Sequence, residues 1–380
     1  MPPAGGGADL SGGLDSSAAV VLAADAGPVH AVTYTDGYTS AEDMAFASRV
    51  AEHTGITHTV DIGADEQLPF SFPAGQPTGA EPVLEAAMFA MDTSYLHPVR
   101  GLPLHLTGHG GDIVLDASSS CWVRLLQDGR RREAHRQVVA FARLRNTAPG
   151  PYWKALKQAA DLGRAGSLER AAEALERGPV RPQTAVTGWS WCRLGAAASW
   201  LTGYGRHRRS PAAAGRTRPA AGAGGRVRPV GRPALGGRLG PRLGPLRPRA
   251  RHPAGVSVPG QPGRPRRLRR PGPARRGLVA YKPLLRESVP ELPDWLTSRR
   301  SKGSFTAQRI AGLARHRDRL DGLIVSSPLV GGGLIDPAAV RSALTQAARG
   351  QCATVIADLH QMLVTCWWLS GQTTELEAAC

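Results

Sequence analysis

A chain of 380 residues with 42% hydrophobic content can bury one or two sizeable cores, which excludes a disulfide miniprotein and a wholly disordered tail. Five scattered cysteines (Cys121, Cys192, Cys352, Cys366 and Cys380), odd in number and without a C-x-x-C pair, exclude a zinc ribbon and a secreted disulfide framework; no run of eighteen apolar residues and no signal-peptide pattern occurs, so two domains in a reducing cytoplasm are expected. The formal charge of +17 points to nucleic acid only if it is spread over the fold, and it is not: 20 of the 47 basic residues lie in 205–277, leaving 27 basic against 30 acidic elsewhere.

In chain order, short apolar runs alternate with amphipathic stretches up to Leu115, the pattern of βαβ units around a parallel sheet. Strands are predicted at 8–10, 29–34, 57–61 and 104–107. Helices are predicted at 16–24, at 41–55 with Ala45, Ala47, Val50 and Ala51 inward and Gly55 as the C′ glycine, and at 82–96. Glu42 and Asp43 read as a solvated helix face. Residues 131–144, 152–162 and 168–176 follow as helices. The last part is helical again at 305–323 and 337–368, with Trp367 and Trp368 beside Leu363 and Leu369 as core residues. The chain thus divides into an α/β core (1–125), a helical region (126–204), an Arg/Gly/Pro/Ala-rich segment (205–277) and a helical C-terminal part (278–380).

The segment 205–277 holds no Lys, Asp, Glu, Phe, Tyr, Trp, Ile or Met, and 58 of its 73 residues are Arg, Gly, Pro or Ala, so it has nothing from which to build a core. Three readings are open: a basic arm for phosphate backbones, a Pro/Gly linker, or a GC-rich gene read out of frame. The third is favoured, because these are the residues whose main codons begin with two G/C bases. Back-translating 257–265 (SVPGQPGRP) and moving one base forward permits Pro-Tyr-Leu-Asp-Asn-Gln-Val-Val.

The sharpest motif is SGGLDSS, Ser11 to Ser17, between a predicted strand and a helix. Gly12 and Gly13 let backbone N–H groups approach an anion, the helix N-terminus adds partial positive charge, and Ser11 and Ser16 offer hydroxyls. Asp15 suits a phosphate only through a divalent cation. A second glycine loop, LTGHGGDIVL, runs from Leu106 to Leu115, and a basic block, YKPLLRESVPELPDWLTSRRSKGSF, from Tyr281 to Phe305; on their own these read as a tight turn and as a solvated patch of Arg299, Arg300 and Lys302.

SGGLDSS resembles the PP-loop of the ATP pyrophosphatases, which cleave ATP between the α and β phosphates, and LTGHGGD resembles the second nucleotide loop of their asparagine synthetase branch. The resemblance implies a parallel α/β sheet of the adenine nucleotide alpha-hydrolase-like type with a mostly helical C-terminal region. It also implies ATP held by Leu10, Ser11, Gly12, Gly13, Asp15, Ser16, Gly108 and Gly110, Mg²⁺ held by Asp15 and Asp112, and Lys302, in R-x-K-x-x-F, on the pyrophosphate. His109 stands where β-lactam synthetase relatives carry an acid/base Tyr, which implies proton transfer for it.

With SWCRLGAAASWLT, YKPLLR, GLIDPAAV and WWLSG, the likeness is closest to lasso peptide macrocyclases, whose P-F/Y-L-D segment falls where the shifted frame permits Pro-Tyr-Leu-Asp. It implies an AMP-forming amide ligase acting on a precursor peptide, with a leader-peptide-binding protein and a protease as partners and neither nucleic acid nor membrane. With the motif at Ser11 and the chain opening Met1-Pro2, the family's N-terminal glutaminase-like domain is expected to be absent. Asparagine synthesis, β-lactam formation, an inactive damaged gene product and a basic nucleic-acid-binding protein stand as alternatives.

Overall fold

The computed structural model describes residues 5–73, 76, 79–111, 120–144, 146–180, 190–207, 282–299 and 303–379. Of the Arg-rich segment, all but its first three residues lie outside these.

Strands β1 (Gly6–Asp9), β2 (Val29–Thr35), β3 (Thr57–Ile62) and β4 (His105–Leu106) form a parallel sheet in the order β3-β2-β1-β4. Helices α1 (Leu14–Ala26) and α2 (Ala41–Thr54) follow β1 and β2. One sheet face, with Ala8, Leu10, Val29 and Ala31, packs with Leu14, Ala18, Val21, Ala47 and Val50 of these helices into a single apolar core. Gly55 caps α2 in the left-handed region, where a Cβ would be strained. Ala45, expected inward, is exposed; Phe46 lies partly buried against the core in its place, because its ring packs on Trp295, 6.0 Å away.

The other face is polar. The register pairs Gly7 with His30 and His105, and Asp9 with Val32, so Gly7, Asp9, His30, Val32, Tyr34 and His105 share it. Helix α3 (Phe89–Tyr95) covers this face, with Tyr95 edge-on to Tyr34 at 6.5 Å. The predicted helix 82–96 begins instead as a 3-10 turn, Leu84–Met88, because Ala87 gives its carbonyl to the amide of Phe70 rather than to a continuing helix.

Helices α4 (Ser120–Gln127), α5 (Arg131–Leu144) and α6 (Pro149–Arg177) enclose a second core around Trp122, Val138, Tyr152 and Leu156, in which the Trp122 indole donates to Gln137 over 2.7 Å. Gly163, at φ 63, breaks α6 between the two helices expected there.

Next in the chain, α7 (Pro283–Ser288) and the turn Asp294–Thr297 carry Leu285, Val289, Leu292 and Leu296 into the α/β core, although the sequence places them in a helical C-terminal part. Helices α8 (Thr306–Arg315), α9 (Arg317–Val325), α10 (Pro337–Ala348) and α11 (Ile356–Ala379) form the third core, around Phe70, Leu313, Leu344, Leu359 and Leu363. Trp367 stacks on Phe72 at 5.3 Å and Trp368 donates to the Gly79 carbonyl, so both tryptophans serve packing. The two predicted C-terminal helices each split, at His316 and at Gly350 (φ 70).

Candidate functional site

Strand order reverses between β1 and β4: from β1 the chain steps outward to β2 and β3, then returns to β4 on β1's other side. In open parallel sheets the crevice beyond the carboxyl ends at such a point is where ligands bind. Both glycine loops leave the sheet there, one from β1 into α1 and the other from β4.

The loops interlock through their glycines. Gly12 has φ 71, and a Cβ on it would overlap the Asp43 carbonyl. A Cβ on Gly108 would come within 2.7 Å of the Ser16 amide nitrogen, and one on Gly111 would run into the Asp15 carboxyl group. Gly110 also has positive φ, at 88. The amide of Ser11 donates to the Ser16 hydroxyl over 3.2 Å, Ser16 donates to the Gly13 carbonyl over 3.1 Å, and the Gly13 amide donates to the Ser11 hydroxyl over 3.4 Å. Ser16 is buried by this ring of bonds while Ser11 faces solvent. The first amides of α1, which lack partners within the helix, add the positive end of its dipole. The Leu10 side chain lies in the core, with its amide bonded to Val32 and its carbonyl to Thr33.

Two cations arrive from the far end of the chain. Lys282, in the left-handed region at φ 52, has a side chain only 1% exposed and pairs with the Asp15 carboxylate. Arg299 donates to the Gly12 carbonyl over 2.5 Å, pairs with Asp43 and lies 4.4 Å over the Phe46 ring. Asp43, read from sequence as part of a solvated helix face, is corrected here: the Arg299 side chain is 3% exposed, and the two neutralise each other against the loop. Lys282 was legible only as part of K-x-x-L-R and carried no assigned role.

Beneath the second loop, the polar sheet face gathers a cluster that sequence reasoning missed. His105 Nε2 lies 2.8 Å from Asp9 Oδ1 across neighbouring strands. Thr107 Oγ1 lies 2.8 Å from Nδ1 of His109, whose side chain is exposed. Burial opposes the charge on Asp9, but the hydrogen bond and charge of His105, with Thr107 and His109, outweigh it and hold this carboxyl below its usual range. Burial, then the charges of Asp9 and Glu85, push Asp92 up to about 7. Burial and the two aspartates raise Tyr95 well above an ordinary phenol. Two carboxylates in one site are thus driven apart, one held below its ordinary range and the other raised to about 7.

Among the sequence-predicted residues, Ser11, Gly12, Gly13, Asp15, Ser16, Gly108, His109 and Gly110 therefore lie on the two loops at one end of the sheet. Asp112 and Lys302 lie outside the described residues. The glycine-lined contact of the loops, where any Cβ would intrude, together with the serine hydroxyls and α1 amides, fits a phosphate chain. Asp15 is an oxygen donor of the kind Mg²⁺ takes. Among the described residues no group of three or more His, Cys, Asp or Glu could hold a metal by itself, and no helix is long and apolar enough to cross a membrane.

In comparison with known proteins, the chain is 45% identical over 51 residues to the 7-cyano-7-deazaguanine synthase of Methanothermobacter thermautotrophicus, a stretch that covers 13% of this chain and 23% of that protein. The chain thus spans under a quarter of that relative's length, and no solved structure matches it. The family model for asparagine synthase matches residues 6–221, more than half of the chain and all four strands with both loops. With that match over a parallel sheet carrying its two nucleotide-type loops at the switch point, the chain belongs to the asparagine synthase family.

Proposed function

We propose that the protein is an ATP-dependent, AMP-forming amide ligase. A substrate carboxylate attacks the α phosphate of ATP, pyrophosphate leaves, and an amine attacks the resulting acyl-adenylate to give the amide and AMP. The observation that carries this reading is the interlock of the Gly12–Ser16 and Gly108–Gly111 loops at the β1/β4 switch point, with buried Lys282 and Arg299 closing on the first loop. Ser11, Ser16 and the α1 amides bind phosphate oxygens; Lys282 and Arg299 hold the loop and its acid in place. Asp15 and Asp112 hold Mg²⁺, which when bound offsets charge on the phosphates. Lys302 adds positive charge at the departing pyrophosphate, and His109 takes the proton from the attacking amine.

The most specific form of this proposal is macrolactam closure, in which a side-chain carboxylate and the N-terminal amine of one precursor peptide are joined, with a leader-peptide-binding protein and a protease as companions. It draws support from the peptide-cyclase-like blocks HLTGHGGD, YKPLLR and WWLSG.

The test is incubation with ATP and Mg²⁺ together with either aspartate and ammonia or a peptide bearing a free N-terminal amine and an Asp or Glu side chain. AMP and pyrophosphate with a peptide lighter by one water support cyclisation, and asparagine assigns the simpler amidation. Release of ADP overturns the adenylation chemistry.

A further inference from the structure

The stretch that returns to the sheet meets the early part of the chain at a series of points. Lys282 pairs with Asp15 on α1, Arg299 bonds the Gly12 carbonyl and pairs with Asp43, and Gly303 lies so close to Asp43 that a Cβ on it would overlap that carboxyl group. A further contact follows on α8. Gln308 is 3% exposed, and its Nε2 donates to Asp36 Oδ2 over 2.9 Å. A carboxylate only accepts, so the amide nitrogen is the atom that faces it. Asp36 is the first residue past β2, at the carboxyl edge of the sheet beside β1 and its loop. Its other oxygen accepts from the Tyr38 amide over 2.9 Å and the Thr39 hydroxyl over 3.1 Å, and its carbonyl accepts from the Thr39 amide over 3.1 Å. This turn leads straight into α2, whose N-cap Ser40 makes no side-chain cap bond, so the Asp36–Thr39 turn sets where α2 begins.

The first turns of α2 are the surface on which the phosphate-type loop rests. A Cβ on Gly12 would overlap the Asp43 carbonyl and come within 3.1 Å of the Ala47 amide nitrogen. Backbone lies against backbone here, with no flexible side chain between to absorb a shift. We propose that Gln308 is a positioning residue for the first loop: by holding the Asp36–Thr39 turn, and with it the start of α2, it fixes the platform under Gly12. Arg299 grips that platform at Asp43 and Gln308 grips it at Asp36. Helix α8 is a firm support, since Leu313 is fully buried in the third core and a Cβ on Gly312 would overlap the Pro69 carbonyl. The inference rests on the proposed function for what the loop binds, but the coupling of Gln308 to the loop is independent of it.

The test is amide hydrogen exchange of the full chain without nucleotide, followed by mass spectrometry. Gln308→Met keeps the side-chain length and removes the donor; exchange should quicken by about tenfold in 36–44 and also in 11–17, the factor carried by one hydrogen bond to a charged acceptor. Leu156→Ala, in the separate helical core, should leave both stretches unchanged. Gln308→Glu sets two carboxylates against each other and should act like Gln308→Met, whereas Gln308→Glu with Asp36→Asn rebuilds the bond with donor and acceptor exchanged, the remaining oxygen still accepting from Tyr38 and Thr39, and should restore both stretches. If Gln308→Met does not fold, by circular dichroism, the Glu single and the double variant decide. Faster exchange confined to 36–44, or a double variant as fast as Gln308→Glu, overturns the proposal. Calorimetric titration of ATP should show affinity about tenfold weaker in Gln308→Met and recovered in the double variant. Unchanged affinity in Gln308→Met beside a wild type that binds also overturns the proposal, whereas a wild type that binds no ATP refutes the nucleotide reading and leaves the exchange result to decide the coupling.

Discussion

Asp92 is the group whose removal should make this protein more stable, by an amount that depends on pH. Its carboxyl is raised from 3.8 to about 7 in the fold, first by burial and then by the charges of Asp9 and Glu85. Below about pH 4 it is protonated in folded and unfolded chains alike and costs nothing. Between there and about pH 7 the unfolded chain ionises while the folded one holds its proton, so stability falls as pH rises. At about 1.4 kcal/mol per unit, the shift of roughly three units is worth about 4 kcal/mol at its limit, and partial access to solvent reduces that to about 2 to 3 kcal/mol above neutrality.

Asp92→Asn keeps the shape and cannot ionise. Its advantage over the wild type should be near zero at about pH 4 and reach about 2 to 3 kcal/mol by about pH 8, read as the difference in urea unfolding free energy at each pH. Asp9 does not disturb this window, because its folded value lies below 3.8 and its contribution is lost only in stronger acid. His58, His316 and His360, all lowered by burial and the last to about 4, work in the opposite direction, but they are common to both proteins and cancel in the difference. An advantage that does not grow with pH, or an Asn variant less stable than the wild type at about pH 8, refutes the claim that burial, with Asp9 and Glu85, holds Asp92 protonated in the fold.

The remaining predictions concern the loops, the cores and the gene. Gly108→Ala puts a Cβ 2.7 Å from the Ser16 amide, and ATP binding by calorimetry should fall by more than about tenfold while the far-UV spectrum keeps its native form. Lys282→Met preserves most of the buried volume but leaves Asp15 without its cation, and thermal unfolding should report a loss of about 2 to 3 kcal/mol, recovered in part by Lys282→Met with Asp15→Asn. Leu156→Ala, at a fully buried position of the helical core, should cost about 2 to 5 kcal/mol in denaturant unfolding without altering ATP affinity. Sequencing the gene across codons 205–277 should reveal Pro-Tyr-Leu-Asp in the frame one base forward of Ser257; a shifted frame interrupted by stop codons counts against the frame reading.

The α/β half was legible because each strand is a short apolar run and each helix has a spaced apolar face, so β2, α2 and α5 begin where the pattern says they do. The two loops were legible because glycine and serine at those spacings have few other uses. The polar cluster was not. Asp9 lies more than eighty residues before Asp92 and His105, and each alone looks like a surface charge; the parallel register that sets Gly7 opposite His105, with α3 over that face, puts them together. Asp43 was misread for the same reason, since a charge at a helix start suggests solvent until a partner 256 residues away is known. Gly350 ended a helix that apolar periodicity alone carries through.

The return of 282–299 to the sheet explains how a site built early in the chain depends on its end. The family match stops at residue 221, yet Leu285, Val289, Leu292 and Leu296 enter the α/β core at helical intervals and bring Lys282 to Asp15 and Arg299 to Gly12. Closing a long connection costs little for added length, about 0.6 kcal/mol per doubling, whereas burying four leucine-class side chains gains several kcal/mol. Docking of 282–299 is therefore governed by its own apolar anchors, and the composition of 208–281 has little leverage on it. For the same reason an altered frame in the Arg-rich segment is compatible with an intact nucleotide site only if the original frame has resumed by Lys282. The buried leucines and the two buried ion pairs are what residues read in the fold's own frame produce; an Arg/Gly/Pro/Ala sequence has neither the apolar volume nor the paired charges to replace them.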